Sequence, residues 1–497
     1  MPHAPVLPHL RHPHHLFIDG AWREPHGREQ THVVSPTTGA VIATLASGDA
    51  DDIAAAVDAA RAAFDHGPWP HLSPTERAAY LRRMGELLRA RIPDLANAWI
   101  EQIGALAGVA PLVVGGGVAW FDSYADLADR YAWSETRALA DAPGTALVVR
   151  EPVGVVAAIA PWNNPFGIMA GKIAPALLAG CTVVMKPAPE TPIEAWIIAE
   201  AAQDAGLPPG VLNLVVADRA ASDSLVRHPG IDKVSFTGSV AAGTHIAAVC
   251  GARMARCTTE LGGKSAAIVL DDFPIETAAR TLARTITMSA GQICAVLSRA
   301  IVPEAHRAAF VAAAVDEMRR VRIGHPRDAA AEMGPLAMVR QRERVEAFVA
   351  QAIAEGATLA TGGARPAHLP DGAYYEPTLL TDVGPANIAA REEIFGPVLT
   401  VLGYDTLDQA IALANATPYG LYGTVFTHDA AAFSRVARGV RSGTLTQNAF
   451  RFDSALPFGG FKLSGCGREG GKEGLDSFTE YKAVIPAAAA PAGHSVL

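Results

Sequence analysis

Residues 232–264 read DKVSFTGSVAAGTHIAAVCGARMARCTTELGGK. The opening DKVSF is a short β-branched and aromatic run of the kind that forms a strand. It stops at Phe236-Thr237-Gly238-Ser239 and gives way to a helical segment over Ala241–Cys250. A second strand then ends at Glu260, where two glycines let the backbone pass close to something. Strand, helix and strand in so few residues form a crossover unit, and a crossover makes its two strands parallel. The same texture recurs on both sides. LVVREPVGVVAAIAP (147–161) and CTVVMKP (181–187) are strand-like runs, Pro192–Ala205 is helical, and SAAIVL (265–270) is another strand. The expected fold class is therefore α/β, with a mostly parallel sheet covered on both faces. A second α/β run extends from about Ala278 to Val440, and Gly470–Ile485 reads as a strand-bearing arm.

Upstream, Leu16–Trp22 (LFIDGAW) predicts two strands about an Asp-Gly turn. Ala50–Phe64 predicts a helix with Asp51 and Asp52 as cap candidates, and Ser73 with Glu76 opens a helix running through Leu88. Seven of the 16 histidines fall in the first 32 residues, irregularly spaced among prolines. That spacing predicts a loose, solvated tail over residues 1–15, without a metal site. The terminal PAAAAPAGHSVL reads as unstructured or draped on a neighbour.

Composition narrows the function classes. At 497 residues the chain exceeds what one core supports, and 50% hydrophobic content excludes global disorder. Lys plus Arg is 41 against 50 for Asp plus Glu, so no basic face for nucleic acid is expected. No uninterrupted apolar stretch is long enough for a membrane span. The five cysteines include no CxxC pair, which points to a reduced, cytoplasmic protein. Only seven lysines occur, so each that persists marks a position suited to a compact ammonium.

Cys294, in the loop-like GQICA, is a candidate nucleophile, although a solitary cysteine is more often a small buried hydrophobe. Glu260 is a candidate general base, and in isolation equally a turn cap. Asn163, in Trp162-Asn163-Asn164-Pro165, follows a strand and can donate its amide to a developing oxyanion. Gly238 and Ser239 open a helix, where backbone N–H groups suit a pyrophosphate. The GxGxxG dinucleotide pattern is absent.

Seven motifs in order, PWNNPF, KPAPETP, FTGSxxxG, ELGGKS, GQIC, EEIFGPV and PFGGFKxSGxGRE, resemble the NAD(P)-dependent aldehyde dehydrogenase superfamily, from FIDGAW at residue 17 to EYK near 480. The resemblance implies a Rossmann-type cofactor-binding domain (1–132 and 151–261), an α/β catalytic domain (262–469) and a small β oligomerisation arm (133–150 and 470–497). It implies that Cys294 attacks an aldehyde, that Asn163 holds the oxyanion, and that Glu260 activates water against the resulting thioester. Lys172 falls near the active-site Asn. Trp162, Lys186, Gly238, Ser239, Leu261, Gln341, Glu393 and Phe395 match cofactor contacts. The substrate pocket falls on Asn164, Ile168, Gly171, Ile293, Ala295, Phe452 and Phe458, with Gly171 where an aromatic is frequent, which implies a roomier tunnel for an apolar, terpenoid or aryl aldehyde.

NAD is the expected cofactor, with NADP possible because Pro189, followed by Glu190, stands where many NAD-preferring members carry an acid. A homodimer or homotetramer is implied. Four readings stay open beside hydrolytic oxidation: a CoA-acylating or phosphorylating enzyme, a semialdehyde dehydrogenase, a thiol esterase that needs no nicotinamide, and a non-catalytic NAD-binding protein of the same fold.

Overall fold

A computed structural model describes residues 4–487. Its framework is an eight-stranded sheet ordered Gly465–Cys466, Arg256–Glu260, Lys233–Thr237, Val155–Ile159, Thr182–Lys186, Leu212–Leu214, Leu16–Ile18, Ala21–Arg23. The five strands from Arg256–Glu260 to Leu212–Leu214 run parallel, while those at both margins are antiparallel. Val155–Ile159, Thr182–Lys186 and Lys233–Thr237 are buried at every residue, as strands must be when helices cover both faces. One of those helices, Pro165–Ala179, is itself buried almost all round.

The second sheet has seven strands, ordered Thr358–Thr361, Thr378–Thr381, Val398–Tyr404, Leu297–Pro303, Ser265–Val269, Tyr422–Phe426, Thr444–Gln447, all parallel except the first pairing. Ser134–Ala138, Thr145–Pro152 and Thr479–Val484 form a three-stranded antiparallel sheet apart from both. Gly465–Cys466, from the stretch assigned above to the catalytic domain, pairs with Arg256–Glu260 in the first sheet.

Two local expectations need correction. The first helix spans Ala50–Asp65, but its cap is Asp49, whose carboxylate takes the Asp51 and Asp52 N–H groups while Asp52 returns the bond. Asp51 and Asp52 lie inside the first turn. The His-rich tail is docked from Val6 onward: Val6 N–H donates to Glu101 Oε1 at 3.2 Å, Arg11 N–H donates to the buried Glu200 at 2.6 Å, and the His12 and His15 carbonyls accept from Trp196 Nε1 at 3.0 and 3.2 Å. His12 also stacks on Trp22, with centroids 5.0 Å apart. Tertiary partners almost 200 residues away supply what local composition lacks. Of the C-terminal PAAAAPAGHSVL, residues 488–497 lie outside the described region.

Candidate active site

The register of the first sheet gathers the predicted residues. Ile159 pairs with Lys186, Phe236 pairs with Ile159, and Thr237 pairs with Glu260, so the parallel strands end side by side. Past those carboxyl ends lie Trp162 and Asn163, Lys186, Gly238 with Ser239, and Glu260. Ligands of open α/β sheets bind at such an edge. The second sheet arrives from the other direction. Ser265 pairs with Leu297, so the segments preceding them, Glu260–Lys264 and Gln292–Val296, run alongside each other. A Cβ on Gly263 would meet the Cys294 carbonyl at 2.3 Å, which measures how closely the two segments pack.

The Cys294 loop is held under strain. Ser289 and Ala290 adopt φ of 47° and 50°, in the left-handed region that side chains rarely occupy. Gln292 anchors the loop at two points: its amide donates to the Ser289 carbonyl at 2.9 Å, and its side-chain oxygen accepts from Ala337 N–H at 2.9 Å. Its backbone carbonyl accepts from Asn163 Nδ2 at 2.9 Å, joining the Asn to the cysteine loop. One Asn163 amide hydrogen is thereby engaged and the other remains to donate. Burial pushes the Cys294 thiol up to about 12, with the Glu393 and Glu260 carboxylates adding to the effect.

Glu260 ends its strand 3% exposed, and neither carboxylate oxygen has a hydrogen-bond partner among the described residues. Burial raises its pKa well above the usual carboxylate range, and Glu469 reinforces this while Lys172 and Arg468 oppose it. Gly459 permits the approach, since a Cβ there would lie 2.6 Å from Glu260 Oε1. Lys172 is fully buried and donates to Glu469 Oε1 at 2.5 Å and to Ser235 Oγ at 3.4 Å.

Several of the residues expected to hold a cofactor are joined by contacts. Trp162 and Phe395 meet edge to face with centroids 5.3 Å apart. Phe395 has φ of 60°, and Gln341 Nε2 secures its carbonyl at 2.8 Å, so Gln341 supports the loop from behind. Glu393 accepts the Gly263 N–H at 3.0 Å, and Gly262 leaves room for its carboxylate, which a Cβ would approach to 2.2 Å. Burial raises the Glu393 carboxyl to about 7. Leu261 is buried against Gly243 in the helix Val240–Ala252, whose N-cap is the exposed Ser239. Lys186 is buried, and its amine is shifted down by desolvation. A dinucleotide fits this donor set. Gly238 and Ser239 begin a 13-residue helix, and the Thr237 hydroxyl beside them is buried without a partner among the described residues. Glu190 is engaged in an ion pair with Arg340.

The expected pocket residues divide. Phe452 and Phe458 belong to a ring cluster with Tyr422 and Phe450, at centroid separations of 5.1–5.6 Å. Ile293 lines a small cavity with Glu393 and Phe395. Asn164 caps the helix Pro165–Ala179 by accepting the Gly167 N–H at 3.3 Å. Ile168 packs on the core, and Ala295 is fully buried. The space beside Gly171 is not left open, because the Trp120 indole lies 3.4 Å from where its Cβ would stand.

A sequence model of the aldehyde dehydrogenase family matches residues 22–484. The chain belongs to that family. This aldehyde dehydrogenase is 38% identical over 474 residues to a 3-succinoylsemialdehyde-pyridine dehydrogenase of a Pseudomonas species, covering 95% of this chain and 98% of that one. It is also 38% identical over 471 residues to the geranial dehydrogenase of Castellaniella defragrans, covering 95% and 98%. Among solved structures, a Pseudomonas syringae aldehyde dehydrogenase in complex with NAD+ and octanal superposes with a TM-score of 0.93 at 37% identity, over 98% and 100% of the two chains. A Mycobacterium tuberculosis aldehyde dehydrogenase with NAD+ gives 0.93 at 41% identity, over 97% and 99%. The enzyme has no helix, among the described residues, long and apolar enough to cross a membrane.

Further residues of the site had no role in the sequence reading. Glu469 stood inside the quoted motif PFGGFKxSGxGRE, and its place there was the only signal, since its ion pair with Lys172 joins residues 297 apart. Gln292, Trp120 and the Tyr422–Phe450 ring pair act through contacts that no spacing announces.

Proposed function

We propose that this aldehyde dehydrogenase oxidises a medium-to-large apolar aldehyde to the free carboxylic acid with NAD+ and water. The observation that carries the reading is Glu260, a buried carboxylate whose two oxygens have no partner among the described residues and whose charge bears on the Cys294 thiol. A group so desolvated is a strong proton acceptor once ionised. Glu260 takes the Cys294 proton, and the thiolate sulfur bonds to the aldehyde carbon. The carbonyl π electrons move to oxygen, where the free Asn163 amide hydrogen and the Cys294 N–H stabilise the charge. Bound nicotinamide supplies the hydride acceptor that turns this thiohemiacetal into a thioester. Glu260 passes the Cys294 proton on to solvent and, ionised again, takes a proton from water; the hydroxide adds to the acyl carbon, and the Cys294 thiolate departs and regains a proton. Lys172 and Glu469 set the charge around Glu260 through both steps.

The cofactor reading places the pyrophosphate at Gly238 and Ser239, the adenosine ribose at Lys186, the nicotinamide ribose at Glu393, and the ring between Trp162 and Phe395. The structural relatives solved with NAD+ support NAD as cofactor. The Arg340 partner of Glu190 leaves the adenosine end less repulsive to a 2′-phosphate than a free carboxylate would, which keeps NADP as the alternative cofactor beside NAD.

An apolar aldehyde suits the ring cluster of Tyr422, Phe450, Phe452 and Phe458 and the indole of Trp120. Relatives named for geranial and solved with octanal support that class, while the pyridine semialdehyde relative keeps a longer oxo-substituted substrate as the second reading. The free cysteines suit a reducing cytoplasm, and the three-stranded sheet suits pairing between copies. Nicotinamide reduction at 340 nm across an aldehyde panel, with NAD and NADP in parallel and Cys294→Ala as control, tests the proposal. Octanal and geranial are expected to turn over without CoA or phosphate. Preference for a carboxylate-bearing semialdehyde, or dependence on CoA, would overturn it.

A further inference from the structure

Three cysteines gather away from Cys294, on the flank of the eight-stranded sheet. Cys250 stands near the end of the helix Val240–Ala252, and Cys257 is second in the strand Arg256–Glu260. The turn between them is tight, because the Arg253 and Ala255 N–H groups both donate to the Cys250 carbonyl, at 3.2 and 3.0 Å. This fold-back brings the two thiols within interaction range of each other, and both are free. Cys250 is buried and Cys257 half-buried, so the pair opens outward past Cys257. The Cys257 contact is the main influence that favours a thiolate at Cys250, and Arg253 and the buried Lys233 add to it. The third thiol, Cys466, is exposed on the neighbouring strand, 3.4 Å from Thr259 Oγ1.

The aldehyde chemistry has no use for this pair. The geometry points to Cys250 and Cys257 as a dithiol that a hydroperoxide converts to an intramolecular disulfide, separate from the catalytic cysteine. The Cys250 thiolate sulfur bonds to one peroxide oxygen as the O–O bond breaks, and the departing hydroxide takes up a proton to leave as water. The Cys257 sulfur then bonds to the Cys250 sulfur as the S–O bond breaks, and that hydroxide leaves as water with the Cys257 proton. Two electrons pass from the thiols to the peroxide. The cross-link ties the far end of the helix that begins at Ser239 to the strand that ends at Glu260.

The test uses the full chain carrying Cys294→Ser, so that oxidation of the active-site sulfur is silent. This variant has four thiols, one fewer than the five cysteines of the sequence. After a few equivalents of hydrogen peroxide, thiols titrated in denaturant should fall from four to two. Trypsin cuts after Arg253 and Arg256, so the peptide ending at Arg253 and the peptide Cys257–Lys264 should appear joined in oxidised protein and separate with dithiothreitol. The same chain with Cys257→Ala should yield no joined peptide. Four persisting thiols, sulfinic or sulfonic acid on single cysteines without a joined peptide, or a link between Cys257 and Cys466 would each overturn the assignment.

Discussion

At Cys294 and Glu260, burial opposes ionisation of both groups that lose a proton in the proposed reaction, and this predicts its pH dependence. With the thiol pushed up to about 12 and the Glu260 carboxyl raised well above its ordinary range, both are protonated at the acid end. kcat/KM is therefore expected to climb with pH as Glu260 ionises, and a Glu260→Gln variant should lose that limb. A rate–pH profile of the two proteins checks this, and an unchanged acid limb in the variant would remove Glu260 from the role of base. Loss of a general base costs roughly 10²–10⁴ in rate. Asn163→Ala should lower kcat by roughly 10²–10³, the usual effect of deleting one oxyanion donor. These three side chains were legible in the sequence because short motifs fix their chemistry and order. Gln292 was not, although it ties Asn163 to the cysteine loop, since its function lies in a backbone carbonyl and in a contact with Ala337.

Elements were legible where their signals are local. Ser73 and Glu76 form the predicted capping box, and Thr182–Lys186 is the predicted buried strand. Docking of the His-rich tail was not, since it depends on Trp196 and Glu200. The helix carrying those two, Ile193–Asp204, also buries Glu194. Its Oε2 accepts from Gln102 Nε2 at 2.6 Å, but Oε1 has no partner among the described residues, and burial raises the carboxyl to about 8. An unfolded Glu titrates near about 4.3, so between these values the folded chain holds a proton the unfolded chain has released. Stability from this group thus falls as pH rises through that window, by on the order of 5 kcal/mol at the upper end. Lys233 and Lys264, shifted down to about 8 and about 7, act in the opposite sense toward higher pH, so the comparison must be with a variant. Glu194→Gln should melt at a higher temperature than the parent at pH 8 and at the same temperature near pH 4.5. Parallel melting curves at both pH values decide it. Between neighbouring helices, Trp120 occupies the space beside Gly171, so Trp120→Ala should shift kcat/KM toward bulkier aldehydes by roughly tenfold or more. A panel of aldehydes graded in chain length and branching reads that shift.

At the scale of the whole molecule, the proposed reaction needs the two large sheets to meet, because Glu260 ends a strand of one and Cys294 precedes a strand of the other. The third sheet contributes nothing to that meeting. Every residue of Ser134–Ala138 is exposed, and the outer strand Thr479–Val484 is exposed along its middle, including Tyr481 at 62%. Ile485, just past it, is 63% exposed. Three strands with so little of their own core are marginal in water, and their free margins invite pairing with another chain. The sequence marked this arm by its strand-like texture, but its exposure, on which the prediction of pairing rests, emerges only when the three strands are assembled. Covering Tyr481 and Ile485 against a second copy would remove the exposed apolar surface and the open edge together. Light scattering on the eluted protein is expected to report a dimer or a tetramer. The double substitution Tyr481→Asp and Ile485→Asp places a charge at each apolar position without touching either large sheet. It should lower the mass to a smaller species while the far-ultraviolet spectrum stays native. A parent protein that elutes as a monomer, or a doubly charged variant that keeps the parent mass, would refute the arm as the pairing surface.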